Sequence, residues 1–373
     1  MQTMQSTLLV GPADWDARRM PKDEFVARIA AFWRRCPSAN GAIVYGGRAH
    51  HAELAYLTNF TPKLEAALAL IPRAGAPQLM VGGGANMLPA AKPLTWIDDL
   101  RPLRNVGKAV AEWAGRQRGD GRPVLIGGPS MPHALRQDIA KALGDRIEDK
   151  TADLAALMRR KSAREIAAIR AAGATLGAAM TAIGDAKRTG AGVTAAVLAG
   201  EHAAHRGGAQ DVRTLFSLDG GRSLRPLDTP IERVVDPLQV YVAVRQLGYW
   251  AEGFAVVGPS PLAGELQAVL HSVLPRVQAG KACNEVARAI GEAIRPRRPH
   301  PVGARIVGNA IGLALEEPPL ISAESGDRFE SGSVYSLRAG ACDEQATSAV
   351  VSAMVLVKDD GNELLWPHAA AMK

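Results

Sequence analysis

The amino-acid sequence predicts an α+β protein of two domains, with an α/β domain over residues 1–154 and a second, α+β domain over residues 155–373. The chain has 373 residues, a length that favours two domains of ordinary size over one. Short apolar runs alternate with helical patterns in the first part, whereas strands and helices are grouped in the second.

The first domain is predicted from apolar runs of strand length that end at Gly or Pro. These runs indicate buried strands over residues 41–47, 66–72, 77–83 and 123–128. Segments with the apolar spacing of helices lie between them, at residues 23–36 and 106–117. Strands and helices in this order form a self-sufficient α/β domain.

The second domain is predicted to open near residue 155 with a long helix. Ser162 and Glu165 have the spacing of a capping box, and apolar residues follow at helical intervals, namely Ile166, Ile169, Leu176, Met180 and Ile183. Shorter helices are expected at about 192–206, 261–277 and 283–294. Strands and hairpins are expected within 239–258, 333–341 and 348–365.

Composition excludes several classes of function. The net charge of +7 is scattered and aromatic residues make up only 5%, so the sequence does not predict nucleic-acid binding. The three cysteines, Cys36, Cys283 and Cys342, show no CxxC spacing and favour reduced thiols in a cytoplasm. We see no run of about 18 apolar residues and therefore expect a soluble, cytoplasmic protein without membrane attachment.

Six motifs carry a resemblance to a known family. They are AYLTNF (55–60), LMRRKSAREIAAIRAAG (157–173), LGYWAEG (247–253), GNAIGLALEEPP (308–319), SGSVYSLRAG (331–340) and VLVKDDGNELL (355–365). In this order and at close to these spacings, they resemble motifs of the creatinase, prolidase and aminopeptidase P (M24) family. The resemblance implies an N-terminal creatinase-like α/β domain followed by a C-terminal pita-bread domain.

In the metal-dependent members of that family, two Asp, one His and two Glu hold a pair of divalent cations that activate a water molecule. The resemblance places those five positions on Tyr241, Glu252, Asn309, Arg338 and Ser352. One carboxylate remains and a fixed positive charge has been gained, which repels a metal ion from the same pocket. The site is therefore expected to hold no metal and to need no cofactor.

The resemblance also assigns candidate roles to individual residues. The candidate catalytic carboxylates are Glu252, Glu316 and Glu317, of which Glu317 is expected to orient its neighbours. The candidate substrate-binding residues are Arg338, Asn309, Tyr241, Trp250, Ser352, Phe60 and Lys63.

Blander interpretations stay open for several of these residues. Glu252 could equally form a buried ion pair with Arg338. Core packing is the plainer expectation for Tyr241 and Trp250, and a solvated loop position is the plainer one for Lys63 and His300.

Three classes of function stay open at this point. The first is a metal-independent hydrolase or lyase acting on a C–N bond of a small amino-acid-like substrate, as in creatinase. The second is a catalytically inactive relative that binds a small ligand or a protein partner, and the third, least expected, is an Xaa-Pro metallo-aminopeptidase. In the first two, Arg338 predicts a ligand that is a carboxylate or a zwitterion. The resemblance further implies a homodimer.

Overall fold

The structure is a computed structural model that describes residues 14–63, 65–117, 121–144, 147–343 and 347–367. The chain divides into two compact units, Met1–Met158 and Arg159–Lys373. Both units combine helices with a β-sheet, which confirms the α+β class predicted from the sequence.

The N-terminal unit is built on a five-stranded sheet in the order β4-β3-β2-β1-β5. Its strands are β1 (Ala39–Gly46), β2 (Ala67–Pro72), β3 (Gln78–Val81), β4 (Asp99–Pro102) and β5 (Arg122–Ile126). Its helices are α1 (Lys22–Arg35), α2 (Ala52–Thr58), α3 (Leu88–Ala91), α4 (Val106–Gly115) and α5 (His133–Leu143), followed by α6 (Thr151–Arg159) at the unit boundary. Strand β1 pairs antiparallel with β2 and parallel with β5, so the sheet is mixed. The sequence did not predict β4, because this short strand is polar and half-exposed and offers no apolar run.

The C-terminal unit contains two sheets and four long helices. Its helices are α7 (Ala163–Arg188), α8 (Val193–Arg206), α9 (Pro261–Val273) and α10 (Cys283–Ala293). A three-stranded sheet has the order β6-β7-β8, with β6 (Asp211–Phe216), β7 (Leu238–Gln246) and β8 (Tyr249–Val257). A six-stranded sheet has the order β11-β10-β12-β13-β14 with β9 beside β12. Its strands are β9 (Arg298–Pro299), β10 (Ile306–Ala310), β11 (Glu317–Ser322), β12 (Val334–Cys342), β13 (Ser348–Lys358) and β14 (Gly361–Trp366).

Helix α7 begins as the sequence predicts. Ser162 accepts a hydrogen bond from the backbone N–H of Glu165, and the Glu165 carboxylate accepts one from Ser162, which completes the capping box. Among the described helices, α7 alone is long and apolar enough to cross a membrane by length and composition. Half of its most apolar window is buried inside the fold, where α7 packs against β7 and β8. The helix therefore serves as a core helix of this unit.

The two sheets of this unit meet where β8 lies beside β13. The Gln239 side chain donates to the carbonyl of Val350 at 3.0 Å and accepts from its N–H at 2.8 Å, so it pairs with β13 as a backbone group would. Side chains alternate along β8, and Tyr249 points towards α7, where its hydroxyl bonds Glu165 at 3.0 Å. Trp250, Glu252 and Phe254 consequently share the opposite face. That face carries the candidate site.

Candidate functional site

Tyr241 on β7 and Glu252 on β8 form a partly buried hydrogen-bonded pair. The Tyr241 hydroxyl donates to Glu252 Oε2 at 2.7 Å, and Glu252 is only 4% exposed. Burial, together with the neighbouring Glu252 carboxylate, raises the pKa of Tyr241 well above its usual value, although Arg213 and Arg338 act in the opposite direction. The hydroxyl therefore keeps its proton at neutral pH. The second carboxylate oxygen, Oε1, accepts no hydrogen bond from a described residue.

Asn309 on β10 and Arg338 on β12 form a second pair. Arg338 Nη2 donates to Asn309 Oδ1. The Asn309 amide nitrogen donates in turn to the carbonyls of Ala310 at 2.8 Å and Leu315 at 2.9 Å, so all of its partners agree on the orientation of the amide. Asn309 is 1% exposed, and its oxygen therefore presents a fixed acceptor to the guanidinium.

Ser352 on β13 joins the two pairs. Its Oγ accepts from the backbone N–H of Phe254 at 2.8 Å, and the Phe254 ring packs on Tyr241 with centroids 4.5 Å apart. On its own sheet, Ser352 lies directly opposite Arg338 in the antiparallel register. The five positions carried over from the sequence are thus linked by one continuous chain of contacts through Phe254.

The ion pair considered between Glu252 and Arg338 is not present. Glu252 is bonded by Tyr241, and Arg338 is bonded by a neutral amide; over the described ranges no acidic side chain lies within 4.0 Å of the guanidinium. Arg338 Nε is buried without a hydrogen-bond partner, and Nη1 donates to no described residue. Arg338 therefore brings a positive charge and spare donors into a half-buried site that does not neutralise them.

Two arginines that the sequence analysis did not single out flank Trp250. The guanidinium carbons of Arg213 and Arg245 lie 4.6 Å and 5.5 Å from the Trp250 ring, within the range of cation–π attraction. Arg213 stands on β6 opposite Ala243, which stands opposite Glu252. The sequence could show only that side chains alternate along the strands that carry Arg213 and Arg245. The pairing of β6 with β7 decides which of these side chains share a face with the site.

The fold can be compared with solved structures. The chain superposes on the prolidase from Pyrococcus horikoshii with a TM-score of 0.72, covering 92% of this chain and 98% of that chain at 16% identity. The dipeptidase PepE from Mycobacterium ulcerans gives a TM-score of 0.72 with 95% and 98% coverage at 18% identity. The X-Pro aminopeptidase from Thermotoga maritima gives 0.69 with 90% and 98% coverage at 19% identity.

The chain has the pita-bread fold of these peptidases. The resemblance found in the motifs is thereby confirmed for the architecture of the whole chain. No protein-family model and no curated protein sequence matches the chain. Identities below 20% establish the fold, and the activity has to be argued from the site itself.

The pita-bread domain holds Glu317 in a buried ion pair. Glu317 Oε2 lies 2.6 Å from Lys161 Nζ, with side chains 8% and 2% exposed, and Oε1 accepts from the N–H of Ala314 at 3.2 Å. A Cβ on Gly312 would lie 2.6 Å from the Lys161 amine and 2.7 Å from Glu317 Oε1, so a larger residue there would displace this pair. Both Glu317 oxygens are occupied, which suits the orienting role expected from the sequence better than a catalytic one. Lys161 was missed because its partner is 156 residues away.

The remaining candidates occupy other places. Glu316 is exposed at the end of the loop that precedes β11. Phe60, which is 4% exposed, and the half-buried Lys63 belong to the N-terminal unit. The expectation for His300 was wrong: it is 2% exposed, its Nδ1 accepts from the N–H of Val302, and its Nε2 donates to the carbonyl of Gly221. His300 is buried because the polar loop around it folds onto β12.

The donor set of the site does not fit the metal pair held by the metal-dependent members of the family. Over the residues that the structure describes, no group of three or more His, Cys, Asp or Glu is arranged to hold a metal ion. At the five positions that the motif resemblance singles out, Glu252 supplies the single carboxylate, and the Asn309 carbonyl oxygen accepts from the Arg338 guanidinium. Two neighbouring dications need several anionic oxygens to offset their charge.

Proposed function

We propose that the pita-bread domain binds a small carboxylate or zwitterion through Arg338, without a metal ion. The observation that carries the proposal is a guanidinium with no acidic partner within 4.0 Å in the described part of the chain. A charge left uncompensated in a sheltered place is costly, so its retention favours a ligand that supplies the missing anion. The rigid fork of a guanidinium matches a planar carboxylate.

The names of the similar structures support the chemical class of this ligand. They are a prolidase, a dipeptidase and an X-Pro aminopeptidase. In this chain Arg338 replaces the metal ions as the positive charge available to a carboxylate or carbonyl oxygen. An amino acid, a dipeptide or a guanidino acid is the size of ligand that such a site suits.

The Tyr241–Glu252 pair favours a second candidate, hydrolysis or lysis of a C–N bond in the bound ligand. Tyr241 keeps its proton and can donate it to a leaving nitrogen, while Glu252 can accept a proton from an attacking water. Their hydrogen bond lets Glu252 return that proton to Tyr241, so the pair ends each turnover as it began. Glu252 is then the catalytic carboxylate, Glu317 orients the adjacent loop, and Arg338 holds the ligand.

Location and assembly belong to the same proposal. The three cysteines are all free and buried, which suits the reducing cytoplasm that we propose for this protein.

We propose a homodimer on the resemblance alone. Light scattering at micromolar concentration should give twice the mass of 39.3 kDa, and a monomer mass would count against it.

Thermal shift assays test the binding proposal. Wild type, Arg338→Met and Arg298→Met are compared across amino acids, dipeptides and guanidino acids with a chelator present. Arg298 is exposed on β9, so its substitution removes the same charge away from the site. At least one ligand should raise the melting temperature of wild type and Arg298→Met and leave Arg338→Met unchanged. If no ligand shifts wild type, or if Arg338→Met responds equally, the proposal fails.

The catalytic candidate has its own readout. Any ligand that binds is incubated with wild type, Tyr241→Phe and Glu252→Gln, and release of the amine product is followed in the presence of chelator. Loss of turnover in both variants, with binding retained in Tyr241→Phe, supports the acid–base pair. Turnover that appears only after divalent ions are added would contradict a metal-independent reaction.

A further inference from the structure

The face of the three-stranded sheet that carries the site has four charged side chains among its described residues, those of Asp211, Arg213, Arg245 and Glu252. Register pairs Arg213 on β6 with Ala243 on β7, and Ala243 with Glu252 on β8, so the three residues form one row across the sheet. Neighbouring strands are about 4.8 Å apart, which places the Arg213 and Glu252 backbones about 10 Å from each other. An arginine side chain is long enough to bring its guanidinium near a ligand held at Glu252, and the residue between them is a small alanine.

Arg213 has only a weak ion pair with the described part of the protein. Its side chain is 57% exposed, and its nearest acidic partner, Asp211, lies 3.9 Å away, at the outer limit of an ion pair. An exposed pair of this kind contributes little to stability. Stacking on the Trp250 ring at 4.6 Å fixes the position of the guanidinium carbon without using its N–H donors. The guanidinium is therefore held in place on the site face with spare donors.

Charge on this face is not balanced. Asp211 lies opposite Arg245 in the register and 3.9 Å from Arg213, so its single negative charge is shared between two arginines. With Arg338, the described part of the site has three cationic groups and two anionic ones, Asp211 and Glu252. Arg338 joins the same face through Ser352, which lies opposite it in the register and accepts from the N–H of Phe254, whose ring packs on Tyr241. Glu252 Oε1 and Arg338 Nη1 also have unused hydrogen-bonding capacity towards the described residues.

We infer that the ligand of this site is an acidic amino acid, or a small molecule that ends in one. Arg338 binds one carboxylate, Arg213 binds the second, and Glu252 accepts from the ammonium group. A ligand with two carboxylates and one ammonium group pairs with two arginines and one glutamate, whereas a neutral amino acid or a monocarboxylate leaves Arg213 with only the distant Asp211 carboxylate. This inference rests on the proposed function and adds the identity of the second binding group, Arg213.

Isothermal titration with three matched probes tests it. L-glutamate carries both carboxylates and the ammonium, L-glutamine replaces the second carboxylate by an amide of the same shape, and glutarate lacks the ammonium. Wild type should bind L-glutamate at least about tenfold more tightly than either of the other probes, the factor expected for one charge-assisted contact. L-aspartate is included because the spacing of the two carboxylates selects the chain length.

Variants separate the inference from the proposal on which it rests. Arg213→Met and Arg213→Gln should bind L-glutamate and L-glutamine about equally, while the Arg298→Met control keeps the preference of wild type. Arg338→Met should lose affinity for every probe. A wild type that binds L-glutamine as tightly as L-glutamate, or an Arg213 variant that keeps the preference, overturns the inference and leaves carboxylate binding by Arg338 intact. If neither these probes nor any ligand of the wider panel binds wild type, both fail.

Discussion

Lys161 and Arg338 are two cationic side chains of the pita-bread domain with opposite surroundings. Lys161 is 2% exposed at the side chain and lies 2.6 Å from the Glu317 carboxylate. Arg338 is half-buried, and its guanidinium hydrogen-bonds only the neutral Asn309 amide among the described residues. Removing one partner of a buried ion pair is strongly destabilising, because the other charge stays buried without compensation. An uncompensated one contributes little to folding and is available to a ligand.

The largest effect on stability is expected from Lys161→Met. The substitution leaves Glu317 buried without its cation and should lower the free energy of unfolding of the pita-bread domain by about 3 to 5 kcal/mol. Urea denaturation followed by tryptophan fluorescence measures the loss. The double variant Lys161→Met, Glu317→Gln should recover part of it, because it removes the unpaired charge. A loss below about 1 kcal/mol, which is the size expected for a surface ion pair, would contradict this prediction.

A smaller loss is expected from Tyr241→Phe. Glu252 then loses its hydrogen-bond donor in a place where it is 4% exposed, at a cost of about 1 to 3 kcal/mol. The raised pKa of Tyr241 means that the hydroxyl contributes this stability below its unfolded-state pKa of about 10, and that the contribution is lost as the pH rises through the higher folded-state value.

The difference in stability between wild type and Tyr241→Phe, measured by urea denaturation from pH 7 to pH 11, checks both statements. Tyr241→Phe combined with Glu252→Leu serves as the control, since removing both partners should cost less than removing one. A difference that grows with pH would contradict the assignment.

A surface ion pair gives the third prediction. Arg170 binds Glu363 through two hydrogen bonds of 2.9 Å and 2.8 Å, and with Lys358 it lowers the pKa of Glu363 to about 2. Glu363→Gln should cost about 0.5 to 1 kcal/mol at pH 7, far less than the loss of the buried cation. The stabilisation is present above the unfolded-state pKa of about 4.5 and is lost as the pH falls through about 2.

Stability of wild type and Glu363→Gln measured from pH 7 to pH 2 should therefore converge at the acid end. The effect should also shrink in about 1 M salt, because exposed pairs are screened. Equal differences at pH 7 and pH 2 would show that the carboxylate charge plays no part.

The smallest effect on stability is expected from Arg338→Met. The change removes a positive charge that no described acidic group compensates, so the free energy of unfolding should stay within about 1 kcal/mol of wild type or rise. Urea denaturation without ligand measures it, with Lys161→Met as the contrasting variant. A loss of 3 kcal/mol or more would show that Arg338 is part of the structural core and would remove the main support for a ligand site.

The sequence predicted the fold well because its signals are local. The capping box at Ser162 and Glu165 and the hairpin of β7 and β8 depend on residues within a few positions of one another. The candidate positions of the site came from motif order, which is a property of the chain. The partners of the side chains were not predictable in this way: an ion pair of Glu252 with Arg338 was one of two open alternatives and Glu252 instead bonds Tyr241, and His300 was expected in solvent and is buried.

By itself, the sequence determined the two-domain α+β architecture and the strands that carry the candidate site, and its motifs singled out Tyr241, Glu252, Asn309, Arg338 and Ser352 as candidate positions. The tertiary structure alone decided which charges are compensated. Lys161 reaches Glu317 across 156 residues, while Arg213 joins the site through the pairing of β6 with β7. The physical reason is that apolar periodicity is fixed by neighbours along the chain, whereas the energy of a charge depends on the atoms that surround it in space.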